Sequence, residues 1–238
     1  MRKILITNDD GINSDGIARL AACAKKFGEV WVVAPSEQRS AASHSITLRH
    51  GIDVYPHNFP VEGVKAFSCS GTPADCVRVG SLAVMDEHPD VVMSGINCGY
   101  NVASDIQYSA TAGAAFEGEF QGYLSIAFSE GINGCHEVTD RYLEEIMVKL
   151  LKEEYRQSFI YNVNFPQCTL SECNGVLWDR TVSRKAFYTD RYKVEEELPD
   201  GGTRYIVDGI LIKETDEGTD YGAVTTNHVS VGLVENIC

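Results

Sequence analysis

Apolar residues along this chain fall into two rhythms, short unbroken runs and longer stretches spaced three and four apart. The unbroken runs are Ile4-Leu5-Ile6, Val30-Trp31-Val32-Val33-Ala34 and Val91-Val92-Met93, and Leu124 to Phe128 and Phe159 to Phe165 are apolar but for Ser125 in the first and Asn162 and Asn164 in the second. Runs of this kind are strands buried on both faces, the pattern of a parallel sheet. Between the first two, Ile17, Leu20, Ala21, Ala24 and Phe27 keep helical spacing, with Gly28 as a C-terminal stop. Leu143, Ile146, Met147, Leu150 and Leu151 predict a second amphipathic helix beginning near Thr139 and Asp140. Gly71-Thr72-Pro73-Ala74-Asp75 reads as a helix start, with Thr72 as N-cap and Asp75 three residues on, and Val77, Leu82 and Val84 continue the body. Strand, helix and strand at these spacings make right-handed βαβ units, so the chain is an α/β protein with a mostly parallel sheet.

Other segments are less regular. Ser45 to Arg49 and Val64 to Phe67 predict short strands. From about residue 170 the character changes, and residues 178–194 are rich in aromatic and basic side chains. Lys193 to Leu198 and Thr203 to Val207 flank Pro199-Asp200-Gly201-Gly202, a strong hairpin signal. A projecting hairpin with exposed aromatics is marginal alone and predicts assembly into oligomers. Thr219 to Ala223 begins a short helix and His228 to Val231 a last strand. The organisation expected is a core over residues 1–170, then an arm with a closing helix and strand over 171–238.

Composition narrows the class. The chain has 238 residues, 44% hydrophobic, and a formal net charge of -14, which argues against a nucleic-acid polymer or an anionic membrane as partner. No apolar run approaches the roughly 20 residues of a membrane span, and only three apolar residues follow Arg2 and Lys3 before Thr7, so the start does not read as a signal peptide. The 8 cysteines contain no Cys-x-x-Cys pair, which weighs against zinc or thioredoxin-type chemistry and for a reducing cytoplasm. The loop after the first strand lacks Gly-x-Gly-x-x-Gly, lowering the odds of a dinucleotide enzyme.

The chemistry gathers where strands end. The first run stops at Asn8-Asp9-Asp10-Gly11, which reads either as a plain turn with a helix cap or as an oxygen cradle for Mg²⁺ or Mn²⁺. The second opens into Ser36 to His44, whose hydroxyls, Ser40 and Ser43 among them, suit a metal or a phosphate, while His44 reads as a structural hydrogen-bonder. The third ends at Asn97, a neutral hard ligand, and continues to Asn101. Tyr108 to Gly118 then leads small residues into a helix whose N-terminus, with Ser109 and Thr111, suits an anion. Polar clusters after successive apolar runs favour a joint metal and phosphate site over unrelated turns.

These clusters, in this order, resemble the SurE family of survival proteins, metal-dependent 5'(3')-nucleotidases. The matching segments are Asn8 to Gly11, Ala34-Pro35 through Arg39 to Ser43, Gly71 to Val77, Ser94 to Asn97 with Asn101, Tyr108-Ser109 through Glu117-Gly118, and Thr219-Asp220. The resemblance implies a Rossmann-like core with helices on both faces of the sheet, a C-terminal β-hairpin arm used in dimer or tetramer assembly, and hydrolysis of nucleoside monophosphates. Carried over by position, Asp9, Asp10, Ser40 and Asn97 would ligate one divalent cation, with the two aspartates as the catalytic pair. Ser43, Asn101, Ser109 and Thr111 would surround the phosphate. The chain departs from the family at Ala41 and Ala110, where glycine is usual, at Asp15, where proline is common, and at Gly232-Leu233, which replace a Thr-Pro. A phosphatase with an aspartyl nucleophile would want Asp-x-Asp, which adjacent Asp9 and Asp10 do not supply. The rival from another class is a non-catalytic nucleotide sensor or assembly module. No stretch declares a pocket for a particular base.

Overall fold

The computed structural model describes residues 1–212 and 214–237, so Cys238 lies outside the described residues. The elements run β1 (Arg2–Thr7), α1 (Asp15–Ala24), β2 (Gly28–Pro35), β3 (Val54–Pro56), β4 (Lys65–Cys69), α2 (Pro73–Val79), β5 (Val91–Cys98), α3 (Ala110–Phe120), β6 (Leu124–Glu130), α4 (Glu137–Leu150) and β7 (Phe159–Phe165). There follow β8 (Val176–Arg180), β9 (Tyr188–Thr189), β10 (Tyr192–Glu197), β11 (Thr203–Val207), β12 (Ile210–Leu211), α5 (Asp220–Thr225) and β13 (Val229–Glu235).

A nine-stranded sheet has the order β3-β4-β2-β1-β5-β6-β7-β13-β8. From β4 to β7 neighbouring strands are parallel. β3 and β13 run antiparallel to their neighbours in this block, and β8 lies parallel to β13. The chain thus follows the Rossmann-like plan expected. Alternation along each strand explains the unbroken apolar runs. Ile4, Ile6, Val91 and Met93 pack with α1 and α4, whereas Leu5, Val33 and Val92 pack with α2 and α3. Both faces are covered, so each strand carries apolar residues at odd and even positions. Burying each large side chain contributes about 1.5–3 kcal/mol.

Local signals act where the sequence places them. Thr72 accepts from the Asp75 N–H at 3.1 Å, and the Asp75 carboxylate accepts from the Thr72 N–H at 3.0 Å, a reciprocal cap that starts α2. Past Val79 the helix widens into a single π-type turn over Gly80–Val84, leaving Leu82 exposed. α1 ends at Ala24, before the expected stop, because Gly28 already belongs to β2. The strand expected over Ser45 to Arg49 does not form. The Thr47 N–H and hydroxyl donate to Asp75 at 2.9 and 2.7 Å, and this carboxylate takes the place of a neighbouring strand. Beyond β7, β8 and β13 return to the main sheet, while β10 with β11 and β9 with β12 form two separate two-stranded ribbons.

Candidate active site

The order of strands locates the site. From β1 the chain moves outward to β2 and β4, then crosses back to β5 on the other side of β1. In open α/β sheets the crevice at such a reversal, outside the carboxyl ends of the strands, is where ligands bind. Asp9 and Asp10 follow β1 and Asn97 is the last residue but one of β5, so they stand at neighbouring strand ends, joined where the Cys98 N–H donates to Asp10 at 3.0 Å. Gly16 permits the close approach, since a Cβ there would lie 2.1 Å from the Ile96 carbonyl oxygen. Gly11, at φ +93°, turns the chain away after the aspartates.

Asp9 is 5% exposed. Its Oδ1 accepts from the Thr111 hydroxyl at 2.7 Å, and its main-chain carbonyl accepts from the Arg39 N–H at 2.7 Å. Burial pushes its carboxyl up to about 6; the Thr111 hydrogen bond opposes this and the Asp10 charge adds to it. Asp10 is half-buried and also raised, chiefly by burial, with the Cys98 N–H (3.0 Å) and the Gln38 amide (3.4 Å) pulling the other way. The Gln38 Nε2 also donates to Ser40 Oγ at 3.0 Å, so Ser40 and Asp10 share one neighbour. Asn97 donates from Nδ2 to the Gly99 carbonyl at 2.8 Å, which fixes its amide. Buried Thr7 Oγ1 at the end of β1, Asn8 Oδ1 after it and Ser94 Oγ, which pairs with Thr7 from within β5, have no hydrogen-bond partner among the described residues.

The remaining candidates divide. Ser109 caps α3 by accepting from the Ala112 N–H at 3.0 Å, leaving its own O–H to donate. Thr111, the second residue of α3, spends its proton on Asp9. Ser43, held at φ +53°, donates to the Gln107 carbonyl at 2.7 Å. Asn101 is buried, with Nδ2 on Ser129, N–H on Asn164 and its carbonyl accepting from Asn162 and Asn164. Its hydrogen bonds thus brace β5, β6 and β7 from within. His44 meets the buried Glu117 at 2.8 Å, beside Arg78 at 3.1 Å. Burial alone would raise Glu117, and the bonds from His44 and Gln121 with the Arg78 charge outweigh it and lower it.

Two positioning residues escape sequence reasoning. Gln38 bridges Asp10 and Ser40, yet in the sequence it is one polar residue among many in its loop. Asp220 is buried, and accepts N–H bonds from Ala103 at 3.0 Å, Ser183 at 2.9 Å and Tyr221 at 2.7 Å. It joins the loop after β5 to the C-terminal region, 117 residues away; in the sequence it shows as part of a helix start and of the Thr219-Asp220 segment of the resemblance, and neither states this bracing role.

Among the described residues no group of three or more His, Cys, Asp or Glu side chains is placed to hold a metal. A cation here would rest on two carboxylates and neutral oxygens. That donor set fits a hard divalent ion, because the hydrogen bonds reaching Asp9 and Asp10 come from neutral donors and leave their charge uncompensated.

Comparison with known proteins adds the family. A sequence profile described as "Survival protein SurE" matches residues 4–187. The chain is 36% identical over 233 residues to a 5'-nucleotidase SurE of Clostridium botulinum, covering 96% of this chain and 90% of that protein. It is 37% identical over 231 residues to a 5'-nucleotidase SurE of Thermosipho melanesiensis, covering 96% and 89%. The crystal structure of the SurE protein from Aquifex aeolicus superposes with a TM-score of 0.81 at 34% identity, covering 98% of this chain and 93% of that one. With its strand order, its paired aspartates at the reversal point and these matches along nearly its whole length, the chain belongs to the SurE family.

Proposed function

We propose that the protein is a divalent-metal-dependent phosphatase that hydrolyses nucleoside 5'- and 3'-monophosphates to nucleoside and phosphate. The observation that carries this reading is the pair of uncompensated carboxylates, Asp9 and Asp10, set beside the N-terminus of α3 at the sheet's reversal point. Asp9, Asp10, Ser40 and Asn97 would hold one Mg²⁺ or Mn²⁺. When bound, such an ion supplies Lewis acidity and neutralises charge building on a phosphoryl oxygen. Thr111 fixes the rotamer of Asp9 through Oδ1, leaving Oδ2 for the ligand side. Ser109 and the Ala110 and Thr111 N–H groups of α3 would donate to the other phosphoryl oxygens, and Ser43 and Asn101, whose side chains donate to Gln107 and Ser129, would brace the loops around the phosphate.

Residues 1–170 form the catalytic core in this reading, and 171–238 supply assembly. Tyr192, Val194, Tyr205, Ile206 and Val207 leave the β10–β11 ribbon with an exposed apolar surface. A lone hairpin of this kind gains stability from a second copy, giving a homodimer or homotetramer. No helix of the described residues is long and apolar enough to cross a membrane, and the seven cysteines among them are free, which suits a reducing cytoplasm.

The test is phosphate release from AMP and GMP in EDTA, then with Mn²⁺ or Mg²⁺ restored, beside Asp9→Asn and Asp10→Asn. Activity is expected only with metal and only in the parent protein. Full turnover in chelator, or nucleotide binding without any phosphate release, would sink the proposal.

A further inference from the structure

A cavity of about 430 Å³ opens at the segment that leads into α3, lined by Ser104, Asp105, Tyr108, Tyr188, Asp190 and Val207 among others. We propose that it is the nucleobase subsite, in which Tyr108 and Tyr188 stack the base and Asp105 with Asp190 select guanine by accepting hydrogen bonds from its edge. The idea takes the position of the phosphate from the function proposed above and adds the part of the substrate that function leaves open.

Placement is the first support. Tyr108 immediately precedes Ser109, the cap of α3, and its carbonyl accepts from the Ser43 N–H at 3.1 Å. Thr111, which bonds Asp9, lies three residues further along. Tyr108 and Ser109 precede the helix, and three residues of chain reach at most roughly 11 Å, so Tyr108 stands within that reach of the residue that bonds Asp9. A ligand with phosphate at the head of α3 can therefore extend its other end past Tyr108.

Chemistry is the second. Tyr108 is 63% and Tyr188 42% exposed, two aromatic rings left open to one cavity. Tyr188 is held from behind: its ring meets Phe187 edge-on at 4.7 Å, and Phe187 meets Tyr221 edge-on at 4.9 Å. The Phe187 N–H donates to Ser104 Oγ at 3.3 Å, docking this wall onto the loop after β5. Two rings open to one cavity offer stacking faces that any base satisfies. The carboxylates add choice. Asp105 and Asp190 line the same cavity, and the Asp105 carboxyl is raised, first by burial and further by the Asp190 charge, against the Ser104 hydroxyl. Ionised carboxylates only accept. Guanine offers N1–H and the N2 amino group side by side, adenine sets the N1 lone pair beside its amino group, and uracil flanks one N–H with two carbonyls.

Affinities for GMP, AMP, UMP and ribose 5-phosphate are measured calorimetrically with Mn²⁺, in parallel with kcat/KM for phosphate release. GMP is expected to exceed ribose 5-phosphate by tenfold or more, and UMP to trail GMP. Tyr188→Leu should cut the ratio of GMP to ribose 5-phosphate by about tenfold, the loss of one stacked base, while Tyr188→Phe keeps it. The double variant Asp105→Asn with Asp190→Asn should collapse the GMP to AMP ratio. A ratio near one in the parent protein, or one unmoved by Tyr188→Leu, overturns the subsite and sends the base elsewhere, such as the cavity beside Asp10, Ile132 and His136. If no ester is hydrolysed yet the affinity ratios behave as stated, the phosphatase reading falls and the base subsite stands.

Discussion

Replacing Asp9 by asparagine should make the metal-free protein more stable while removing its response to metal. Burial moves the Asp9 carboxyl from 3.8 to about 6. This shift of about two pH units is worth about 3 kcal/mol, because the folded state holds a proton the unfolded state has released. The sign follows from the direction of the shift: this acid favours the fold below pH 3.8, and its contribution is lost as pH rises through about 6. At pH 7.5 in EDTA the ionised carboxylate therefore holds stability down. Asparagine is close to isosteric, and its Oδ1 can still accept from Thr111. Its amide N–H groups need partners in a buried place, which takes back about 1 kcal/mol. The net expectation is about 1–2 kcal/mol of added stability, or about 2–8 °C in Tm for a chain of this size. Urea and thermal unfolding at pH 7.5 and pH 4.5, in EDTA and in Mn²⁺, provide the assay. The gain should shrink at pH 4.5, and Mn²⁺ should raise the parent above the variant. A variant that is less stable in EDTA at pH 7.5, by an amount unchanged at pH 4.5, refutes the reasoning.

Two further substitutions probe the frame around the site. Ala41 sits at φ +56°, a left-handed conformation that costs a residue with a Cβ about 1–2 kcal/mol. Ala41→Gly should stabilise the fold by up to about 1 kcal/mol after the extra entropy of glycine is counted, and unchanged urea midpoints would contradict this. Thr72→Ala removes the cap of α2 and the bond from its hydroxyl to the Ser45 carbonyl at 2.7 Å. A loss of about 1–2 kcal/mol in chemical denaturation is expected, and Thr72→Ser should recover most of it.

How much was legible in the sequence depends on the range of the interactions. β1, β2 and β5 could be read because burial on both faces writes itself as unbroken apolar runs, and β6 and β7 because theirs are broken only by single polar residues. Thr72 with Asp75 was legible because a cap is a local device. Ser45 to Arg49 misled because its alternation suits a strand, while its partner is the Asp75 carboxylate, 28 residues on from Thr47. The polar clusters at the strand ends were visible, but not which of them meet. The bond from Thr111 to Asp9 and the inward-facing amides of Asn101, Asn162 and Asn164 depend on strand order, which no local pattern states. The cavity between Tyr108 and Tyr188 is less legible still, since its walls come from segments 80 residues apart that share no periodicity.

The bond between Asp9 and Thr111 spans 102 residues, and this separation sets an order of events during synthesis. The aspartates are among the first residues made, yet the helix that steadies Asp9 follows far behind, and β5 must insert beside β1 before α3 can dock. At roughly 5–20 residues per second, the growing chain carries its most acidic turn without its partner for about 5–20 s. During that interval Asp9 is solvated and behaves as an ordinary surface carboxylate. The raised affinity for a proton is thus acquired late, as a property of the closed sheet rather than of the turn that bears the charge.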